Sequence, residues 1–222
     1  MKDALRVLWD ALRDTADEFF MLVLTNAVTL LLLIPLVTAP PALAGLWAVG
    51  NRIAQGQTAT WRDYFGGFRQ HFARAWALAA LHLVALFALA SNLWFYTPGN
   101  NPFDLSPQVC LLIRAAWIGV GIFWLLLSQY FLPLLIEQED RRLRVTLRNA
   151  AALLVMQPGF AVTLLVLITL TGALSTLFTV PWFVITLSFW AVLTNRAVRR
   201  LLEPMRGRGD GETGRGGDGE TR

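Results

Sequence analysis

The sequence predicts an all-α fold: a polytopic transmembrane helical bundle of about six membrane-embedded segments (five as the alternative), with amphipathic interfacial helices. Three observations predict it. Charged side chains are missing from 33 residues between Glu18 and Arg52, from 47 between Arg148 and Arg196, and from 22 between Arg114 and Glu137. A further stretch from Arg74 to Asp104 is broken only by His82. A hydrocarbon layer about 30 Å thick needs roughly 20 apolar residues of helix to cross it, so each run fits a bilayer. Composition agrees, with 55% hydrophobic and 15% charged residues, against about 25% charged in soluble domains.

The segments follow in order. Residues 1–18 read as an amphipathic helix with Leu5, Leu8, Trp9 and Leu12 on one stripe, opposite Asp10, Asp14 and Asp17. Phe19 to Val37 reads as a span, and Thr38-Ala-Pro-Pro41 turns the chain. Thr38 is placed to cap a short return helix whose first turn tolerates proline. That helix, Ala39 to Arg52, is only about 20 Å long at 1.5 Å per residue, and Arg52 is expected to snorkel to the interface. If 19–51 were one kinked span, five crossings would result. A short echo favours the return: Thr38-x-Pro40 leads to Trp47-Ala-Val-x-Asn51-Arg52, as Thr179-x-Pro181 leads to Trp190-Ala-Val-x-x-Asn195-Arg196. Ala42-Leu-Ala44 has a small-x-small form, but five acids against three bases precede the apolar run, so signal cleavage is not expected.

Two more amphipathic helices precede hairpins. In 60–76, Trp61, Phe65, Phe68, Phe72 and Trp76 recur at spacings of four and three, with Arg62 and Arg69 on another face and a Thr60-x-x-Asp63 capping box. In 137–154, Leu143, Leu147, Ala150 and Leu154 form the stripe, and Glu137/Arg141 and Asp140/Arg144 stand as acid-before-base pairs. Such helices lie in the headgroup plane. Trp61, Arg62, Phe65, Phe68, Arg69 and Phe72 are therefore the candidate interfacial or docking residues. The tail 204–222, rich in Gly and balanced charge, has nothing to bury and is expected to be a disordered cytoplasmic extension of the 1–203 membrane domain.

The 19 Lys and Arg residues set the orientation. They cluster before the first run, between Arg52 and Arg74, between Arg141 and Arg148, and from Arg196 onward, leaving 98–113 without a basic residue. The positive-inside rule places that loop outside, with both termini cytoplasmic in a multi-pass plasma-membrane protein. The pI near 10 reflects these flanks, so no nucleic-acid partner is expected.

Catalytic motifs are missing: no phosphate loop, no His-Glu-x-x-His helix and no Gly-x-Ser-x-Gly elbow. A single cysteine, Cys110, and two histidines argue against a disulfide or a metal site. No cofactor and no enzymatic activity are expected. Asn26, His82, Asn92 and Gln129 are the strongly polar groups within spans. Interhelical hydrogen bonding is their ordinary role, and lining a shared cavity is the functional one.

Asn26 in the first span, Pro35-Leu-Val-Thr-Ala-Pro-Pro-Ala42, Asp63-Tyr-Phe-x-x-Phe68, Phe131-Leu-Pro-Leu-Leu135, Leu147-Arg-Asn-Ala150, Gln157-Pro-Gly159 and Asn195-Arg196, in this order, resemble the YesL-like family of bacterial integral membrane proteins over residues 1–203. The family has no known function. The resemblance implies an accessory role beside carbohydrate uptake through ABC transporters, whose components become expected partners along with membrane lipids. The chain lacks the permease Glu-Ala-Ala-x-x-x-Gly loop, since Asn149-Ala-Ala151 has leucine at the glycine position. The leading expectation is a non-enzymatic accessory factor for carbohydrate or other solute uptake. A small transporter or channel is the alternative: a shared polar cavity would favour it, and scattered polar pairs would favour the scaffold.

Overall fold

The computed structural model describes residues 2–97, 100, 103, 105–140 and 142–213, with side chains described as far as Glu203. Among the described residues the chain is all-helical, in eleven segments. The Pro98-to-Pro102 turn apart from Asn100, Asp104, Arg141 and residues 214–222 of the expected tail lie outside them.

Helix α1 (Lys2–Asp17) meets α2 (Phe19–Leu33) at 90°. It buries a narrow face of small residues, Ala4, Val7 and Ala11, and turns Leu5, Trp9 and Leu12 outward. Of the leucine-tryptophan stripe only Leu8 packs against the core, so the small residues form most of the face by which α1 docks. Small side chains let α1 approach α11 closely, while the large ones are left for the interface.

Pro35 ends α2, because it has no N–H to offer the Leu31 carbonyl and its ring crowds that group. The Thr38 hydroxyl donates back to the Leu32 carbonyl (2.6 Å) and the Pro35 carbonyl (2.9 Å). It thus closes the turn and does not cap the next helix, as the sequence had suggested. The chain then reverses into α3 (Ala39–Ala54), whose first-turn prolines cost no hydrogen bond.

Helix α3 is the centre of the bundle, packing against α2, α4, α5, α7 and α11. Glycine makes this possible. A Cβ at Gly50 would stand 2.7 Å from the Ala191 carbonyl carbon on α11. One at Gly45 would stand 2.8 Å from the Tyr64 carbonyl oxygen on α4, and one at Gly67 of α4 would overlap the Ala48 methyl. The two copies of the sequence echo meet across this seam. Trp47 Nε1 donates to Thr194 Oγ1 (2.9 Å), and Asn195 Nδ2 donates to the Trp47 carbonyl (3.1 Å).

The amphipathic helix expected over 60–76 is shorter. α4 (Trp61–Gln70) stops at His71, and Phe72 and Trp76 belong to α5 (Phe72–Phe95). Arg52 does not snorkel freely, because its Nε bonds Asp63 Oδ1 at 3.0 Å. Helix α6 (Pro107–Ser128) breaks at Gln129 and Tyr130 before α7 (Phe131–Glu137). Pro133 explains the break, since it offers no N–H to the Gln129 carbonyl and its ring crowds it.

The helix expected from 137 begins later, as α8 (Leu143–Met156). Gln138 is extended, so Asp140 is not in helical register with Arg144, and Arg141 of the other expected pair lies outside the described residues. Glu137 instead reaches Arg199 (3.0 Å), and Asp140 lies 3.8 Å from Arg142. Helix α9 (Pro158–Phe178) leads through Thr179, the one non-glycine residue with positive φ (58°) among those described, into α10 (Val180–Val184). Helix α11 then runs from Thr186 to Thr213.

Among the described residues, three helices are long and apolar enough to cross a membrane: Phe72–Phe95, Pro107–Glu137 taken through its bend, and Pro158–Phe178. The bent α1–α2 pair raises this to four. Only 6% of the apolar window of α5, and 6% of that of the α6–α7 span, is buried inside the protein. Apolar surface on that scale marks contact with lipid, so the chain is membrane-embedded.

The seam makes a paired prediction. Gly50→Ala forces a methyl into the Ala191 backbone and should cost about 1–3 kcal/mol, the range for overpacking. Gly66→Ala faces nothing within 4 Å and should gain up to about 1 kcal/mol from helix propensity. Melting of the detergent-purified protein checks both, and equal melting temperatures for the two variants would contradict the seam.

Candidate functional site

The structure separates the four polar residues of the apolar runs. Asn26, buried on α2, donates through Nδ2 to the carbonyls of Trp182 and Phe183 (2.9 Å each) and accepts from the Ser188 backbone N–H (3.3 Å). Those groups lie where α10 gives way to α11, and a helix junction leaves backbone groups without partners of their own. Asn26 supplies the missing partners, and Ser188 Oγ donates in turn to the Leu22 carbonyl (2.8 Å). Gln129 does the same at the α6–α7 break, donating to Leu126 and to Ala161 of α9, both at 3.0 Å.

His82 on α5 accepts at Nδ1 from Trp124 Nε1 on α6 (3.1 Å). Asn92 donates to the Ala88 carbonyl of its own helix (2.8 Å) and faces a shallow depression on α5 beside Phe87 and Trp94. None of the four hydrogen-bonds another.

The expected docking set is brought together on α4. Trp61 stacks on Phe65 with centroids 6.2 Å apart, and Phe68 meets Phe72 edge-on at 6.0 Å across the break. Trp61, Phe65 and Phe72 are exposed, as are Arg62 and Arg69. Neither arginine forms an ion pair among the described residues. The inner face of the same helix carries Tyr64, fully buried, whose hydroxyl shares a 2.9 Å hydrogen bond with Thr29 of α2. Burial raises the Tyr64 pKa, and the Thr29 bond partly offsets this, so the phenol stays neutral.

Asp63 fixes the start of α4. Its Oδ2 accepts from the Thr60 backbone N–H (2.9 Å) and hydroxyl (2.7 Å), completing the expected capping box. Burial works against its ionisation, but the Thr60 hydrogen bonds and the Arg52 guanidinium outweigh it and hold the carboxyl below its ordinary 3.8.

Further ion pairs tie other helices. Asp14 of α1 takes Arg196 of α11 through two bonds of 2.5 and 2.8 Å, which raises the already high pKa of that guanidinium. Glu137 of α7 takes Arg199 of α11 with its carboxylate only 5% exposed. No local pattern pointed to these pairs, whose members are 182 and 62 residues apart. Trp124 and Tyr64 were equally silent, apart from the place of Tyr64 in the Asp63-Tyr-Phe motif.

Asp63→Ala should lower stability by about 1 kcal/mol at neutral pH, a usual value for a lost helix cap. Because the folded pKa is depressed, the stabilisation is fully present above 3.8 and is lost as pH falls through the lower folded value. Melting temperatures of wild type and variant should therefore converge in that acid range, and a gap that widens there would contradict the assignment.

A family model described as "Protein of unknown function, DUF624" matches residues 19–93. The matched region runs from α2 nearly to the end of α5 and includes Asn26, the Pro35–Ala42 turn and the Asp63-Tyr-Phe motif. Neither a curated protein nor a solved structure matches the chain.

Proposed function

We propose that the chain is a multi-pass protein of the plasma membrane with no enzymatic activity of its own, an accessory factor for the uptake of carbohydrate or another solute. One observation carries the reading: Asn26, His82, Asn92 and Gln129 sit in separate contacts. A solute path needs polar groups facing one another along a wet cavity. Here Asn26 and Gln129 hold helix junctions, His82 holds a helix pair and Asn92 bonds its own helix, which favours a scaffold over a transporter. The family match from α2 to α5 supports the YesL-like resemblance on which the solute-uptake part rests.

The topology that goes with this reading has six embedded segments in three hairpins: α2 with α3, α5 with α6–α7, and α9 with α10–α11. Each hairpin follows an amphipathic helix, α1, α4 or α8. At 15 and 16 residues, α2 and α3 fall short of a full crossing, so the first hairpin enters and returns. Both termini are cytoplasmic and 98–113 is external. On the cytoplasmic side, the exposed face of α4 offers Trp61 and Phe65 beside unpaired Arg62 and Arg69, a surface for a partner such as a component of a sugar ABC transporter.

Co-purification in mild detergent tests the function. Arg62→Glu with Arg69→Glu should keep normal abundance, since each basic contact with an anionic leaflet contributes only about 1 kcal/mol, and should lose the partner protein. Undiminished partner recovery would reduce α4 to an interfacial collar. In intact cells an impermeant thiol reagent should label a cysteine placed at Asn100 and spare one placed at Asp3. The reverse pattern would invert the topology.

A further inference from the structure

Between α3, α5 and the α6–α7 break lies a groove of about 400 Å³. Its walls are apolar, with Leu43, Leu78, Ala79, Leu83, Phe131 and Leu132 among them, and His82 and Ser128 bring the only strongly polar side chains to its lining. Ser128 directs its hydroxyl proton to the Leu125 carbonyl (3.1 Å). His82 is different. An indole N–H is a donor only, so the Trp124 bond fixes Nδ1 as an acceptor. The neutral ring then carries its single proton on Nε2. That N–H makes no hydrogen bond among the described residues, and its ring lines the groove.

The depth of this donor narrows what satisfies it. Arg74 is the last charged residue before the apolar stretch of α5. His82 lies eight residues further, about 12 Å along the helix, inside the hydrocarbon layer. Leaving an N–H unpaired there is costly. Ester carbonyls of glycerolipids stay at the headgroup boundary and do not reach this level. The groove therefore fits an apolar molecule that carries a carbonyl acceptor into the hydrocarbon.

We propose that this groove binds a prenylated quinone of the membrane. One ring carbonyl oxygen accepts from His82 Nε2, and the apolar tail lies along Leu78, Leu83 and Leu132. Few polar groups in a mostly apolar concavity is the usual composition of a small-molecule site. The proposal concerns binding and includes no electron transfer.

The test uses the full chain in phosphatidylcholine nanodiscs, titrated with a ubiquinone analogue bearing a ten-carbon tail while tryptophan emission is followed. Trp124, in contact with His82, reports a bound ring. Wild type should show a saturable quenching component above the linear background from partitioning. Ala79→Phe fills the groove and should abolish that component. His82→Phe should weaken it about two- to tenfold, the span expected for one hydrogen bond, and so should a carbonyl-free alkylbenzene of equal tail length relative to the quinone. Size-exclusion profiles establish that the variants are folded. If His82→Phe does not fold, Ala79→Phe and the alkylbenzene decide the matter. Purely linear quenching of wild type, or an unchanged saturable component in Ala79→Phe, would overturn the proposal. Equal affinity for the carbonyl-free compound would also overturn it, showing the groove to be a slot for ordinary acyl chains.

Discussion

The close approach of α3 to α4 on one side and to α11 on the other is the contact on which the rest of the structure depends. Lipid tails are as apolar as leucine, so helices in a bilayer gain little by hiding apolar surface from one another and associate through close packing. Helix α3 meets that requirement with Ala42, Ala44, Gly45, Ala48 and Gly50, and at Gly45 and Gly50 even a methyl group has no space. Once α3 is fixed, α4 is drawn in by Gly67, which seats Tyr64 beside Thr29 of α2. α11 is drawn in by Ala191, which brings Thr194 and Asn195 to Trp47. The helices outside this seam, α5 and α6, keep most of their apolar surface exposed.

Polar chemistry follows the packing. Where a helix breaks, backbone groups lose their partners, and a polar side chain replaces them: Asn26 reaches the α10–α11 junction from α2, and Gln129 at the α6–α7 break takes the Leu126 carbonyl and ties the break to α9. At the opposite extreme, the arginines that flank the apolar runs are not simply solvated. Arg52, Arg196 and Arg199 each take a carboxylate from another helix. The value of such pairs depends on burial. The half-exposed Arg52–Asp63 pair is worth little by itself and matters through the cap it shares, whereas the Glu137 carboxylate of the Glu137–Arg199 pair is nearly buried, where losing an ion-pair partner costs more. The same residues that report orientation by the positive-inside rule thus fasten α4, α1 and α7 to the bundle.

The membrane character was legible because it is written in long uncharged runs, and the reversal at Thr38–Pro41 because proline punctuation is local. The Thr60–Asp63 capping box was legible for the same reason. What was not legible depends on contacts across the fold. The leucine stripe of α1 reads as an interfacial face, and Leu5, Trp9 and Leu12 are exposed, but the face that docks is Ala4, Val7 and Ala11, which no hydrophobic stripe marked. The acid-before-base pairs after Glu137 looked helical, but Arg199 claims Glu137 from 62 residues away. The polar set was found residue by residue, but its separation into unrelated contacts depended on partners such as Trp124 and Ser188 that carry no sequence signal of their own.

If α3 is the element on which the others assemble, its amides must open only when the whole seam opens. Hydrogen–deuterium exchange of the detergent-solubilised protein measures this directly, because local opening and cooperative unfolding leave different patterns. Amides from 42 to 53 should be among the slowest in the chain and should exchange together with those of 189–198 on α11, while α1 exchanges earlier. Exchange of α3 while α11 stays protected would contradict the account.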